Sequence, residues 1–115
     1  MSILAEIKNN APALLKNMPI EVVYLRYCLD VWETSAEWLE ICFKYQAWQF
    51  SMKVVIVESA LLMKIDLTWF YLPESHCMNP VYTMRHSSCS VIREASEFGE
   101  ILVVAAERAV RCNYD

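Results

Sequence analysis

The chain has 115 residues, 57% of them hydrophobic and 21% charged, with a net charge of −4. That is enough apolar material for one core and argues against disorder, so a single domain spanning 1–115 is expected. Seven acids and five bases fall in residues 1–60, and the same numbers recur in 61–115. No basic stripe forms, which sets nucleic acid aside as a partner.

Mean hydropathy is +0.24, so a membrane span has to be tested for. The most apolar window, Val54 to Leu72, contains Glu58, Lys64 and Asp66. Each ionisable group near a helix centre costs about 2.5–3.5 kcal/mol on insertion, which excludes the window, and no membrane partner is expected. The start of the chain, Met1-Ser2-Ile3-Leu4-Ala5-Glu6, lacks the basic segment and long apolar run of a secretory signal. The five cysteines, Cys28, Cys42, Cys77, Cys89 and Cys112, are odd in number and widely spaced. Reduced thiols serving as small apolar side chains in a cytoplasmic protein are the expectation.

In chain order, Ser2 caps a short helix through Ile3, Leu4 and Ile7 that ends at Asn9-Asn10, and Pro12 opens a second short segment. From Pro19, the spacing of Ile20, Val23, Tyr24, Tyr27 and Val31 predicts a helix, with the β-prone run Val22-Val23-Tyr24 as its competitor. From Pro19 to Glu40 there are five acids against Arg26 alone, read as a solvated helix face or as a surface for a basic partner.

The middle of the chain alternates. Leu39, Ile41, Phe43 and Tyr45 are set against Glu40, Cys42, Lys44 and Gln46. Phe50, Met52, Val54 and Ile56 are set against Gln49, Ser51, Lys53 and Val55. Met63, Ile65, Leu67, Trp69 and Tyr71 are set against Lys64, Asp66, Thr68 and Phe70. A helix turns about 100° per residue and would scatter Lys64, Asp66 and Thr68, whereas a strand puts them on one face. Strands are therefore expected, although Thr34-Ser35-Ala36-Glu37 reads as a capping box and Gln46-Ala47-Trp48 lacks the usual hairpin residues.

Pro73 to Pro80 reads as a loop, and Val81 to His86 as a further strand. A long C-terminal helix follows, with the stripe Val91 or Ile92, Ala95, Phe98, Leu102, Ala105 and Ala109, capped by Ser88 or Ser90 and supported by an Arg93–Glu97 pair. The fold class is α+β: N-terminal helices, a three- or four-stranded antiparallel meander and a long C-terminal helix packed on the sheet. An all-α bundle is the alternative.

Chemistry-bearing groups are sparse. Gly99 is the single glycine, which excludes a phosphate-binding glycine loop. His76, Cys77, His86 and Cys89 fall close together, but without the paired spacing of a zinc site, and no metal or cofactor is expected. A Cys89–His86 nucleophile, with Asp66 or Glu74 orienting the imidazole, was weighed against a plain polar loop, and the loop is favoured. Tyr45, Trp69, Tyr71 and Tyr82 with His86 could line a small-molecule or catalytic pocket, the alternative function. The leading expectation is a non-enzymatic protein-interaction module: an adaptor, a neutralising partner or a homo-oligomeric subunit. Strand parity places Trp48, Lys53, Val55, Val57 and Phe70 on the outer sheet face as partner-binding residues. The expected partner is a second copy, in a homodimer, or another protein.

Overall fold

A computed structural model describes residues 2–30, 36–57, 62–71 and 84–114, excepting the side chains of Val57, Trp69, Phe70, Tyr71, Met84, Cys112, Asn113 and Tyr114. In order these residues form α1 (Ile3–Leu14), β1 (Glu21–Leu29), β2 (Glu37–Tyr45), β3 (Trp48–Val57), β4 (Leu62–Tyr71) and β5 (Met84–Val91). A 3-10 turn at Ala95–Glu97 then leads into α2 (Phe98–Tyr114). The strands make one antiparallel sheet in sequence order, β1-β2-β3-β4-β5. The class is α+β, with five strands rather than three or four.

The first helix is continuous where two short segments were expected. Ser2 accepts the Ala5 N–H at its start, and Leu4, Ile7 and Ala11 recur on its buried face. Pro12 falls in the last turn, where the helix ends within two residues.

The segment after Pro19 is a strand, not a helix. Its alternation is masked by a bulge between Val22 and Tyr24. Val22 lies opposite Phe43, Tyr24 opposite Cys42 and Leu25 opposite Ile41, so Val23 is extra and every side chain beyond it changes face. The helical spacing of Ile20, Val23, Tyr24 and Tyr27 is what a bulged strand leaves behind.

The β2–β3 hairpin pairs Tyr45 directly with Trp48. Its turn is Gln46-Ala47, with Gln46 at φ 54°. A side chain there costs about 1–2 kcal/mol relative to glycine, which the register on both sides outweighs. One sheet face is packed: Leu39, Ile41, Phe43, Phe50, Met52, Val54, Met63, Ile65 and Leu67 cluster with Leu4, Ile7, Phe98, Leu102 and Ala106 from the helices. The rings of Phe43 and Phe50 stack across the hairpin at 5.2 Å and 17°, adding about 0.5–1.5 kcal/mol to their burial.

The C-terminal helix starts later than its stripe suggests. Ser88 and Ser90 lie within β5, so neither caps it. Its approach is set by a capping box at the 3-10 turn, with Glu94 as N-cap and Glu97 three residues on, whose carboxylate accepts the backbone N–H groups of Arg93 and Glu94, each at 2.9 Å. Those two donors hold the Glu97 carboxyl below its ordinary range. Gly99 follows immediately, buried where the start of α2 meets Leu14 and Met18. Among the described residues, no helix is long and apolar enough to cross a membrane.

Candidate functional site

With both helices on one side, the other side of the sheet carries no described helix, and its character follows from the register. Arg26 lies opposite Glu40, Glu40 opposite Lys53, Lys53 opposite Asp66 and Asp66 opposite Ser87. This row alternates in charge across β1 to β4 and ends on the Ser87 hydroxyl in β5, the arrangement that cross-strand neighbours favour. Arg26 grips Glu40 at 2.5 and 3.1 Å, the Trp38 indole N–H donates to the other Glu40 oxygen at 3.1 Å, and Ser87 donates to Asp66 at 2.7 Å. Lys53 sits 5.1 Å over the Trp38 ring. The indole donor, then Arg26, hold the Glu40 carboxyl below the usual range, and Glu40 raises Arg26 in turn. The next row is also polar, with Ser51 opposite Cys42 and Thr68 opposite Arg85.

Of the residues expected to bind a partner here, Lys53 and Val55 are on the open face, with Val55 half-buried opposite Lys64. Trp48 is on the covered face. The two-residue turn sets it opposite Tyr45, directly opposed residues share a face, and Trp48 packs against the core. The backbones of Val57 and Phe70 pair with Leu62 and Gln49; their side chains lie outside the described residues.

The less favoured Cys89–His86 pair does not assemble. His86 lies opposite Leu67 on the covered face, and Cys89 lies opposite Lys64 on the open face. Asp66 is likewise on the open side and cannot orient His86. Cys89 is mid-strand, away from any helix start. His76, Cys77, Glu74 and Tyr82 lie outside the described residues, as do the side chains of Trp69 and Tyr71. Among the described residues, no three of His, Cys, Asp and Glu come together as a metal site. Cys28, Cys42 and Cys89 are free thiols. The acid-rich stretch is partly committed internally: Glu37 accepts from Ser2 at 2.9 Å and from the Tyr27 hydroxyl, and this bond raises Tyr27.

Among the described residues, the exposed large apolar side chains lie instead at the two sheet edges, Val91 alone at the end of β5 at 55% and the other four together on β1. Val22, Val23, Tyr24 and Leu29, all on β1, are 39%, 50%, 45% and 50% exposed. The backbone beside them is open. Asp30 N–H donates to the Ala36 carbonyl, so in an antiparallel ladder Leu25, Tyr27 and Leu29 point their N–H and C=O groups away from β2. One of these groups is covered: Lys8 reaches from α1 and donates to the Leu25 carbonyl at 3.0 Å. Lysine is a common device for blunting an open edge.

Between α1 and β1 runs a groove of about 500 Å³, floored by Ala11, Leu15, Val22 and Leu25 and flanked by Lys8 and Lys16. A shallower depression of about 450 Å³ continues it past Lys8 along Tyr24 to Tyr27. The sequence signal for this edge was the run Val22-Val23-Tyr24; the bulge hid it by mimicking helical spacing. Comparison with known protein families, with curated proteins and with solved structures finds no match.

Proposed function

We propose that this protein is a non-enzymatic protein-interaction module and that the free edge of β1 is its binding element. The observation that carries this reading is the coincidence, on one edge strand, of exposed Val22, Val23, Tyr24 and Leu29 with outward-facing backbone groups at Leu25, Tyr27 and Leu29. Apolar side chains give a partner area to bury, and the open ladder gives it direction and register. The shifted acids and phenols support the same reading. Glu40, Glu97 and Tyr27 owe their shifts first to hydrogen bonds within the fold, and Tyr45 to its burial and then its bond to Glu107, not to a cleft that receives substrate.

The open sheet face is the less favoured surface, because its central row is already neutralised within itself. An adaptor or a neutralising partner fits an edge-strand mode, and a homo-oligomeric subunit is the outcome that light scattering distinguishes from them. The test is a Val23→Lys/Leu29→Lys double variant, which places two charges on exposed positions of β1. Its thermal midpoint should stay within about 2–3 °C of the natural protein, since exposed substitutions cost little. Association with a second copy by light scattering, or with a partner co-purified from the source cell, should be lost. Retention of that association by a folded variant rules out β1 as the binding element.

A further inference from the structure

The occupant of the β1 edge can be specified further, resting on the reading just given. α1 and β1 run antiparallel: Lys8 meets Leu25, while Leu15 and Lys16 line the same groove as Ile20 and Val22. The groove therefore lies along the edge, and a sixth strand paired to β1 would pass beneath this side of α1. The groove's charged lining is Lys8 and Lys16, with no acid among its described residues. Lys16 makes no ion pair among the described residues.

We infer that β1 receives an extended segment of another protein carrying two acidic side chains four residues apart, with an apolar side chain midway between them. The spacing follows from β1. Lys8 meets Leu25, and Lys16 lines the groove with Ile20 and Val22, three to five residues earlier in the chain; four residues of a paired strand span roughly 13 Å, which bridges the two lysines. Side chains at i, i+2 and i+4 of a strand share a face, so both acids and the apolar residue point toward α1. The apolar residue rests on Ala11, Leu15 and Leu25, which floor the groove. Lys8 then exchanges the Leu25 carbonyl for a carboxylate, and that carbonyl accepts an N–H of the incoming strand.

A second copy fits this edge poorly. Antiparallel pairing of β1 with itself requires a two-fold axis normal to the sheet, which brings both α1 helices together on the same face. The strand such a copy presents toward α1 would carry Leu25, Tyr27 and Leu29, the β1 residues of the covered face, and none of them can meet Lys8 or Lys16 with a carboxylate.

The probe is the peptide Ser-Glu-Thr-Val-Thr-Glu-Ser, blocked at both ends, with Ser-Lys-Thr-Val-Thr-Lys-Ser as its counterpart. Each is titrated to millimolar concentration against isotope-labelled protein and read from the amide shifts of Leu25, Tyr27 and Leu29. The acidic peptide should bind about tenfold more tightly than the basic one, the ratio expected when two exposed ion pairs become two repulsions. In a Lys8→Glu/Lys16→Glu variant with an unchanged melting temperature, the preference should reverse. No edge shifts with the acidic peptide, equal affinity for both peptides, or an unchanged preference in the variant each overturns the inference. If a protein partner is still lost with Val23→Lys/Leu29→Lys, the module reading survives that failure; if the partner is retained, the module reading falls on its own account.

Discussion

Gly99→Ala sets two effects against each other. Alanine is favoured over glycine within a helix by about 0.8–1.0 kcal/mol, and Gly99 lies in the first turn of α2, where part of that gain should be available. A Cβ at this position would lie 2.8 Å from Met18 Cγ, 3.0 Å from Met18 Sδ and 3.3 Å from the Leu14 carbonyl oxygen. The first is closer than a carbon can come and the second is tighter than nearly all real contacts, and Met18 is itself packed against the core. Overpacking of this kind costs about 1–3 kcal/mol. Steric cost should win, and Gly99→Ala should destabilise the protein by about 1 kcal/mol.

The reasoning is separable from helix propensity by removing the obstruction. In a Met18→Ala background the contacts at 2.8 and 3.0 Å vanish, and Leu14 needs to yield by only a few tenths of an ångström. There Gly99→Ala should become neutral or stabilising by about 0.5 kcal/mol, giving a coupling of about 1.5 kcal/mol between the two positions. Urea denaturation of the natural protein, both single variants and the double variant measures it directly. If Gly99→Ala stabilises the natural protein, or has the same effect in both backgrounds, close approach is not why glycine stands there.

Three further outcomes follow from side chains hydrogen-bonded within the fold. The Tyr45 hydroxyl donates to Glu107 on α2 at 2.9 Å from a ring that is 8% exposed; Tyr45→Phe keeps the ring and lets the exposed carboxylate return to water, so urea denaturation should show a loss of about 1 kcal/mol. The Glu97 and Glu40 carboxyls are held below their ordinary range, so their stabilisation is complete above about pH 4.3, the unperturbed glutamate value, and is lost as pH falls through the depressed folded values. Glu97→Gln retains an acceptor oxygen but cannot titrate, so its urea midpoint should fall less steeply between pH 5 and 2.5; an unchanged slope would show that the cap carries no charge-dependent stability. Tyr27 and Tyr45 are both raised, so at the alkaline end stability should decline as pH rises past about 10.

What was legible in the sequence was whatever obeyed one period without interruption. Leu39 to Tyr45, Phe50 to Ile56 and Met63 to Leu67 alternate cleanly, and each places its apolar set on the packed face. The stripe of α2 was legible for the same reason, though its start was not. Ile92 and Ala95 are both buried, but one follows β5 directly and the other opens the 3-10 turn, so continuous burial ran past a change of secondary structure. The edge strand was illegible for a sharper reason. A single inserted residue, Val23, moves the remaining side chains of β1 to the other face, and a period-two pattern with one phase slip imitates spacings of three and four.

That same slip bears on the binding surface. Without the bulge, alternation would commit half of the apolar run to the covered face in simple register. With it, Val22, Val23 and Tyr24 are all left exposed at the end of the strand nearest Lys16 and the groove. Bulges at sheet edges ordinarily terminate or twist away pairing; here the strand continues for five residues beyond it, with outward backbone groups at Leu25, Tyr27 and Leu29. The bulge therefore divides β1 into an apolar entry and a hydrogen-bonding run, with Lys8 guarding the first carbonyl of that run. An occupant must first displace a lysine to gain the ladder, so an acidic segment is admitted where a neutral or basic strand is resisted, and the edge can stay open without inviting indiscriminate pairing.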